Sequence, residues 1–241
     1  MLRLPVDSAA LASSFPELHH LISTLTNREE NEVDARLPLP SNAPLLSQPP
    51  PCSWLRPGQE FFGMQNVTHW SPGKGERWKV AVTLHKCDFA RGVLCGTMTA
   101  KNVPEATTPV VTFFTGEIVD NMNWSFYTSH TDWAALAETD ISHWNRFLSF
   151  KPMKKDVISL GGRAAGLADC GAVFMRWKEQ FFLAGGECRL TIAGFYYVAL
   201  DRAAGTIEAI YYDPASSPDQ RLCLQPGKCE AGYAFPAHEL A

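Results

Sequence analysis

The stretch "FMRWKEQFFL", residues 174–183, has the composition of a β-strand but carries one carboxylate that does not fit a plain apolar face. In a strand, successive side chains point to opposite faces. One face is therefore predicted to carry Met175, Trp177, Glu179, Phe181 and Leu183. All but Glu179 are apolar, which indicates that this face is buried. Because an unpaired buried charge is costly, the position of Glu179 requires an explanation.

Two explanations for Glu179 follow from the residues. In the first, a partner inside the protein, such as an Arg or a Tyr hydroxyl, satisfies the carboxylate, or the side chain lies near an open mouth of the fold. In the second, Glu179 binds a ligand. A small barrel can hold one ligand in its mouth, and an acid among aromatic residues would select a ligand with a positive charge.

The sequence on both sides of this stretch continues in short strand-like runs. In "WKVAVTL", residues 78–84, Trp78, Val80, Val82 and Leu84 alternate with more polar residues, as in a half-buried strand. Similar runs are "LCGTMTA", "VVTFFTGEIV", "LTIAGFYYVAL" and "TIEAIYY", separated by Gly, Pro, Asn and Asp. This pattern predicts a mainly all-β fold, an antiparallel barrel or sandwich.

One helix is predicted within this β-rich region. In "TDISHWNRFLSF", residues 139–150, Thr139 or Asp140 is the expected N-cap, and an apolar stripe runs from Ile141 to Leu148. Residues 151–171, which follow, are expected to form a mobile insertion before the strand that carries Glu179. Toward the other end of the chain, residues 41–58 are rich in Pro and Ser, which is typical of an extended linker.

Composition excludes several classes of function. The 241 residues carry a formal net charge of -4, which disfavours binding to nucleic acid or to an anionic membrane surface. No long apolar run predicts a membrane span, and the first residues are a poor secretory signal. The seven cysteines include no CxxC pair and the seven histidines are scattered, so neither a metal nor another cofactor is expected. A reducing compartment, the cytoplasm or the nucleus, is the expected location.

Several motifs together resemble one known family. They are "FFGMQ" (61–65), "LCG" (94–96), "TFFTGEI" (112–118), "HWNRF" (143–147), "FMRWKEQFFL" (174–183), "AGFYYV" (193–198) and "IEAIYY" (207–212). Their order and spacing resemble the substrate receptors of the glucose-induced-degradation ubiquitin ligase, also called the vacuolar import and degradation family. The resemblance implies an antiparallel, lipocalin-like β-barrel of about eight strands with a helical insertion. Together with the Pro/Ser-rich composition before it, the resemblance divides the chain into a flexible Pro/Ser-rich region (1–58), a degron-binding barrel (59–226) and a C-terminal tail (227–241).

The resemblance also implies a site that binds a protein N-terminus beginning with proline, an N-degron. Glu179 and Tyr196 match the residues that hold the terminal amine, and Gln65, Gln220 and Thr191 match residues that contact the following peptide. The implied apolar wall consists of Val80, Ala100, Val103, Val110, Phe113 and Tyr211. A protonated α-amino group is a suitable partner for Glu179, since its ordinary pKa is about 7.7–8.0 and it donates charge-assisted hydrogen bonds.

The same resemblance implies a non-catalytic receptor that presents substrates to other subunits for ubiquitination. Its expected partners are the N-terminal degron and an armadillo-repeat scaffold subunit, with Tyr233 and Phe235 of the tail as candidate anchors. Two alternatives remain open at this stage. A lipocalin-like carrier of a small apolar or cationic ligand would need a deep apolar cavity, and a barrel enzyme would need a second titratable group beside Glu179, for which Tyr196 is the candidate.

Overall fold

Eight strands and two α-helices make up the part of the chain that the computed structural model describes, residues 46–68, 75–186, 190–215 and 219–227. The strands are β1 (Glu60–Thr68), β2 (Gly75–Asp88), β3 (Val93–Lys101), β4 (Val110–Ile118), β5 (Ala172–Ala184), β6 (Phe195–Asp201), β7 (Ile207–Tyr212) and β8 (Asp219–Pro226). The helices are α1 (Ala137–Trp144) and α2 (Lys154–Ser159), and short 3-10 helices cover Thr131–Trp133, Lys151–Met153 and Ala165–Leu167. None of the helices described is long and apolar enough to cross a membrane.

The strands form a closed antiparallel barrel. Each strand pairs with the next along the chain, and β1 pairs with β8 from Phe61↔Pro226 to Thr68↔Asp219. Closure gives every strand two neighbours, so the sheet has no free edge strand. The predicted all-β fold, an antiparallel barrel of about eight strands with a helical insertion, is confirmed.

The barrel interior follows the alternation expected of its strands. Val80, Val82 and Leu84 of β2 are buried in the interior core together with Met175 and Trp177 of β5. The Trp177 ring stacks on the ring of Phe114 of β4, with a distance of 4.9 Å between the ring centroids. The face of β5 that carries Met175 and Trp177 is therefore the inner face, as predicted.

The alternation of β5 is interrupted beyond Glu179. Phe113 of β4 pairs with Phe181, whereas Phe114 pairs with Glu179, so Gln180 is an extra residue in a β-bulge. The bulge places Phe181 with Phe113 on the outer face, where their rings stack at 5.2 Å. The prediction that Phe181 shares a face with Glu179 is wrong, because the bulge shifts the period of two.

The segment between β4 and β5 packs against the outside of the barrel. Trp144 and Phe150 are fully buried in a second core, together with Phe174 and Tyr197 from the outer faces of β5 and β6. The Trp144 ring meets Tyr197 edge-on at 4.9 Å. Edge-to-face aromatic pairs of this kind add stability beyond the apolar area they bury.

Two predictions for this insertion are corrected. Residues 151–171 are not a mobile segment, because Met153, Val157 and Leu167 are buried in the second core. The helix α1 begins at Ala137, so Asp140 lies inside it and not at its N-cap. Short-range signals fail here because these residues are ordered by contacts with the distant strands β5 and β6.

An N-terminal arm, residues 46–58, closes the barrel at the end where the insertion begins. Cys52 and Leu55 are buried in the interior core, and the Trp54 indole donates a hydrogen bond of 3.1 Å to the Arg202 carbonyl. Residues 46–58, part of the stretch whose composition is typical of a linker, are therefore packed against the barrel. Residues 1–45 lie outside the described part.

Candidate functional site

A cavity opens at the barrel end opposite the N-terminal arm. It is lined by the ends of all eight strands and by the loop that precedes β6, and it encloses about 180 Å³. The lining residues are Gln65, Val67, Glu76, Trp78, Met98, Ala100, Val110, Thr112, Glu179, Leu190, Thr191, Tyr196, Tyr211 and Gln220. The described lining contains no Lys, Arg, His or Cys, and its charged residues are the acids Glu76 and Glu179.

Glu179 lies in the cavity wall, and its side chain is almost fully buried, with 6% exposure. The Thr112 hydroxyl donates a hydrogen bond of 2.5 Å to its Oε1 atom. Among the described residues, no Lys, Arg or His forms an ion pair with this carboxylate. Burial raises the pKa of the Glu179 carboxyl, while the Thr112 hydrogen bond and the Lys178 charge act in the opposite direction. The site thus holds a carboxylate that gains from a cationic partner.

Lys178 is adjacent in sequence but does not neutralise Glu179. The two side chains leave β5 on opposite faces, as neighbours on a strand do. The Lys178 ammonium instead donates hydrogen bonds to backbone carbonyls outside the cavity, at Ile192, Ala193 and Gly194. The negative charge of Glu179 therefore faces the cavity.

Tyr196 begins a chain of hydrogen bonds across the cavity wall. Its hydroxyl donates to the Gln65 side chain at 3.1 Å, and the Gln65 amide donates to the Gln220 side chain at 2.7 Å. Burial, together with the nearby Glu179 charge, holds the pKa of Tyr196 well above its usual value. Its hydroxyl therefore stays neutral, and it has lone pairs with which to accept a hydrogen bond from a ligand.

Tyr211 and Thr191 form the part of the wall between β7 and the start of β6. The ring of Tyr211 packs on that of Tyr196 at a centroid distance of 5.0 Å. Its hydroxyl accepts a hydrogen bond of 2.8 Å from the Gly194 amide. Thr191 is exposed at the mouth, where its hydroxyl accepts a hydrogen bond from the Ala193 amide.

The structure brings eight of the eleven residues expected in the substrate site together in this cavity. They are Gln65, Ala100, Val110, Glu179, Thr191, Tyr196, Tyr211 and Gln220. Val80 lies in the interior core, and Val103 is buried in the loop after β3. Phe113 is on the outer face of β4 with Phe181, so its assignment to the cavity wall is corrected. Thr112, which precedes it, points inward and lines the cavity.

Six residues of the cavity wall were missed by the sequence analysis. They are Val67, Glu76, Trp78, Met98, Thr112 and Leu190. The signal that would have found five of them is the period of two, since each lies two or four positions along a strand from a predicted site residue. Leu190 lies next to Thr191 in a loop, where alternation gives no guide.

The arrangement suits recognition of a cation by a carboxylate, with hydrogen-bonding amides beside it. The structure shows no group of three His, Cys, Asp or Glu residues suited to a metal ion within its described ranges. Tyr233 and Phe235, the predicted scaffold anchors, lie outside those ranges, as does the rest of the tail beyond Gly227.

Comparisons with known proteins agree on one group. A family profile described as "Vacuolar import and degradation protein" matches residues 54–227. The chain is 34% identical over 176 residues to "Glucose-induced degradation protein 4 homolog" of Mus musculus, covering 71% of this chain and 77% of that protein. Over 184 residues it is 29% identical to "GID complex substrate-recognition subunit 4" of Schizosaccharomyces pombe, covering 72% of this chain and 91% of that protein. A 31% match over 192 residues to subunit 10 of the same complex and organism covers 73% of this chain and 34% of that protein.

Proposed function

Because the chain belongs to the vacuolar import and degradation protein family, we propose that it is a substrate-recognition subunit of a multisubunit E3 ubiquitin ligase. It binds substrates and carries out no chemistry itself, while ubiquitin transfer takes place on other subunits. The names of its relatives, which describe substrate-recognition subunits of the GID complex, support this role. The compartment that fits this role is the cytoplasm or the nucleus.

The ligand of the cavity is a protein N-terminus, and the buried carboxylate of Glu179 is the observation that carries this proposal. Glu179 is 6% exposed and has the Thr112 hydroxyl as its hydrogen-bond donor. An α-ammonium group supplies the positive charge and the additional donors that such a carboxylate lacks. Binding would remove much of the cost of keeping this carboxylate buried and ionised.

Proline at the first position suits this wall. A protonated N-terminal proline keeps two N–H donors, which Glu179 and the Tyr196 hydroxyl can accept. Its ring is apolar and matches the aliphatic side chains of Ala100 and Val110. Its fixed φ angle lowers the entropy lost when the peptide becomes ordered. In this proposal, the amide groups of Gln65 and Gln220 pair with the next peptide groups.

The size of the cavity favours a peptide end over a larger free ligand. About 180 Å³ is less than the roughly 300–1,000 Å³ of pockets that enclose drug-sized molecules. A carrier of apolar ligands would also have no use for a buried carboxylate in the wall. The carrier alternative is therefore the weaker of the two.

The test compares two peptides that differ only at the amine. A proline-starting peptide with a free N-terminus should bind in calorimetry, and the same peptide with an acetylated N-terminus should not, because acetylation removes the cation and its donors. A panel of first residues then measures how strictly proline is preferred. Equal binding of the acetylated peptide would refute recognition of the amine.

The remaining part of the proposal is assembly with an armadillo-repeat scaffold subunit through the C-terminal tail, with Tyr233 and Phe235 as anchors. Co-purification of the scaffold with the wild-type chain and with a Tyr233→Ala, Phe235→Ala double variant tests it. The variant should lose the scaffold and keep the affinity for peptide. Scaffold binding that is unchanged in the variant would place the interface elsewhere.

A further inference from the structure

Residues 190–194, named here the mouth strap, cross the barrel mouth between β5 and β6. The described ladder between these strands ends at the pair Trp177↔Tyr196, and β6 begins only at Phe195. The mouth strap nevertheless supplies two residues, Leu190 and Thr191, to the cavity wall. Contacts other than strand pairing therefore have to fix its shape.

Lys178 supplies these contacts from the outer side of the barrel. Its ammonium group donates hydrogen bonds to three consecutive carbonyls of the mouth strap, at 2.7 Å to Ile192, 2.7 Å to Ala193 and 2.9 Å to Gly194. An ammonium group has three N–H donors, and each of the three is used by one carbonyl of the mouth strap. The side chain is half-buried, and burial lowers the pKa of Lys178.

A second contact holds the mouth strap from the side of β7. The Gly194 amide donates a hydrogen bond of 2.8 Å to the Tyr211 hydroxyl, which lies in the cavity wall. A side chain at position 194 would place its Cβ atom 2.1 Å from the Tyr212 carbonyl oxygen, so the strap lies directly against β7 here. The strap is thus fixed between Lys178 on one side and Tyr211 on the other.

Three carbonyl oxygens that converge on one point repel each other unless a cation lies between them. We propose that Lys178 is a positioning residue, which holds the mouth strap in the shape that peptide binding requires. This inference rests on the proposed function. Lys178 touches no ligand in this scheme, because its ammonium lies on the outer side and is absent from the cavity lining. Its contribution is pre-organisation, which lowers the ordering cost of binding.

The experiment uses three variants of the full chain. Lys178→Met removes the cation and keeps the length of the side chain, and Lys178→Arg restores a cation with several donors. Lys79→Met is the matched control, since Lys79 is an exposed residue of β2. Hydrogen exchange of the Ala193 and Gly194 amides is measured without peptide, and affinity for a proline-starting peptide with a free amine is measured by calorimetry.

In Lys178→Met, the Ala193 and Gly194 amides should exchange hydrogen faster than they do in wild type. This variant should bind the peptide at least about tenfold more weakly, and its thermal midpoint should stay close to that of wild type. Lys178→Arg should recover most of both properties, and Lys79→Met should change neither. Unchanged exchange in Lys178→Met overturns the inference, and so does faster exchange with wild-type affinity. If the wild-type chain binds no free-amine peptide, the proposed function fails, and the binding role of Lys178 fails with it.

Discussion

At the scale of the residue, the central fact is that one carboxylate is buried without an ionic partner among the described residues. Glu179 and Lys178 are sequence neighbours, yet the strand geometry of β5 separates their charges to opposite faces. Lys178 is engaged with the mouth strap, and Glu179 is left to the cavity. This separation is what turns an ordinary Lys-Glu dipeptide into a site for a cation.

Removing the charge of Glu179 should abolish most of the affinity for a peptide. Glu179→Gln keeps the shape and the contact with the Thr112 hydroxyl, but the ammonium of the bound peptide is then buried without a counter-charge. We expect a loss of about 2–5 kcal/mol in calorimetry, the range for truncating one partner of a buried charge pair. Glu208→Gln, an exposed substitution on β7, is the control and should bind as wild type does. Wild-type affinity in Glu179→Gln would contradict the proposed site.

The same substitution should stabilise the empty protein at neutral pH. Burial raises the pKa of Glu179, so the folded chain binds more protons than the unfolded chain between the ordinary value near 4.5 and the raised one. In that interval the free energy of unfolding falls as pH rises. The glutamine side chain of Glu179→Gln does not ionise, so this variant does not lose that stability. Its thermal midpoint at pH 7 should exceed that of wild type by about 2–4 °C for each kcal/mol of unfolding free energy that is regained.

The contrast with acidic conditions makes this prediction specific. Below the ordinary carboxyl pKa, Glu179 is protonated in both states, and the difference in midpoint between wild type and Glu179→Gln should shrink. Scanning calorimetry without peptide at a series of pH values measures it. A difference that stays constant over pH would show that the substitution acts through packing and not through the charge.

At the scale of the element, one buried carboxylate adds hydrogen bonds to the aromatic packing that holds the helix α1 against the barrel. Asp140 is fully buried and accepts three hydrogen bonds, from the Thr128 amide at 2.7 Å, the Thr128 hydroxyl at 2.8 Å and the Tyr197 hydroxyl at 2.7 Å. These bonds join the helix, the loop before it and the outer face of β6. The insertion is therefore part of the fold's stability.

Asp140→Ala should destabilise the protein by about 1–3 kcal/mol, because it leaves the buried Tyr197 hydroxyl and the half-buried donors of Thr128 without this acceptor. Glu138→Ala is the matched control, since Glu138 is an exposed residue of the same helix. Urea unfolding followed by tryptophan fluorescence gives the two free energies. A loss as small as that of the control would mean that Asp140 does not anchor α1.

The elements also show how far sequence alone leads. The strands around Val80 and Trp177 were predictable because the alternation of apolar and polar side chains is a local signal, and it matches the inner and outer faces of the barrel. Thr112 and Trp78 follow from the same rule once the inner face is known. The bulge at Gln180 was not predictable, because it depends on how β4 and β5 align with each other. The order of residues 151–171 was missed for the related reason that Val157 is buried by residues far away in sequence.

At the scale of the whole molecule, a buried ion pair connects the barrel wall to the insertion. Arg176 of β5 is fully buried and donates a hydrogen bond of 2.7 Å to Glu117 of β4. It also donates to the Ser125 carbonyl at 3.0 Å, in the loop that leads into the insertion, and His130 makes a further close contact with Glu117. The ion pair therefore joins the outer faces of β4 and β5 to the loop that leads into the insertion.

Burial alone would raise the pKa of Glu117, but Arg176 and His130 outweigh it and hold the pKa below its usual value. A carboxyl with a lowered pKa stabilises the fold fully above its unfolded value, and this contribution is lost as pH falls through the folded value. Glu117 and Glu179 therefore make the free energy of unfolding change with pH in opposite directions. Together they predict that the empty protein loses stability on the acid side through Glu117 and on rising pH through Glu179.

Arg176→Met should lower the free energy of unfolding by about 3–5 kcal/mol at pH 7, because Glu117 keeps its burial and loses its main counter-charge. Without Arg176, burial dominates and the pKa of Glu117 rises. Acidification should therefore lower the free energy of unfolding of the variant less than that of wild type. Urea unfolding at several pH values measures both effects, with the exposed Arg77→Met substitution as control. Parallel pH profiles for wild type and Arg176→Met would show that Arg176 contributes through packing and not by stabilising the charge of Glu117.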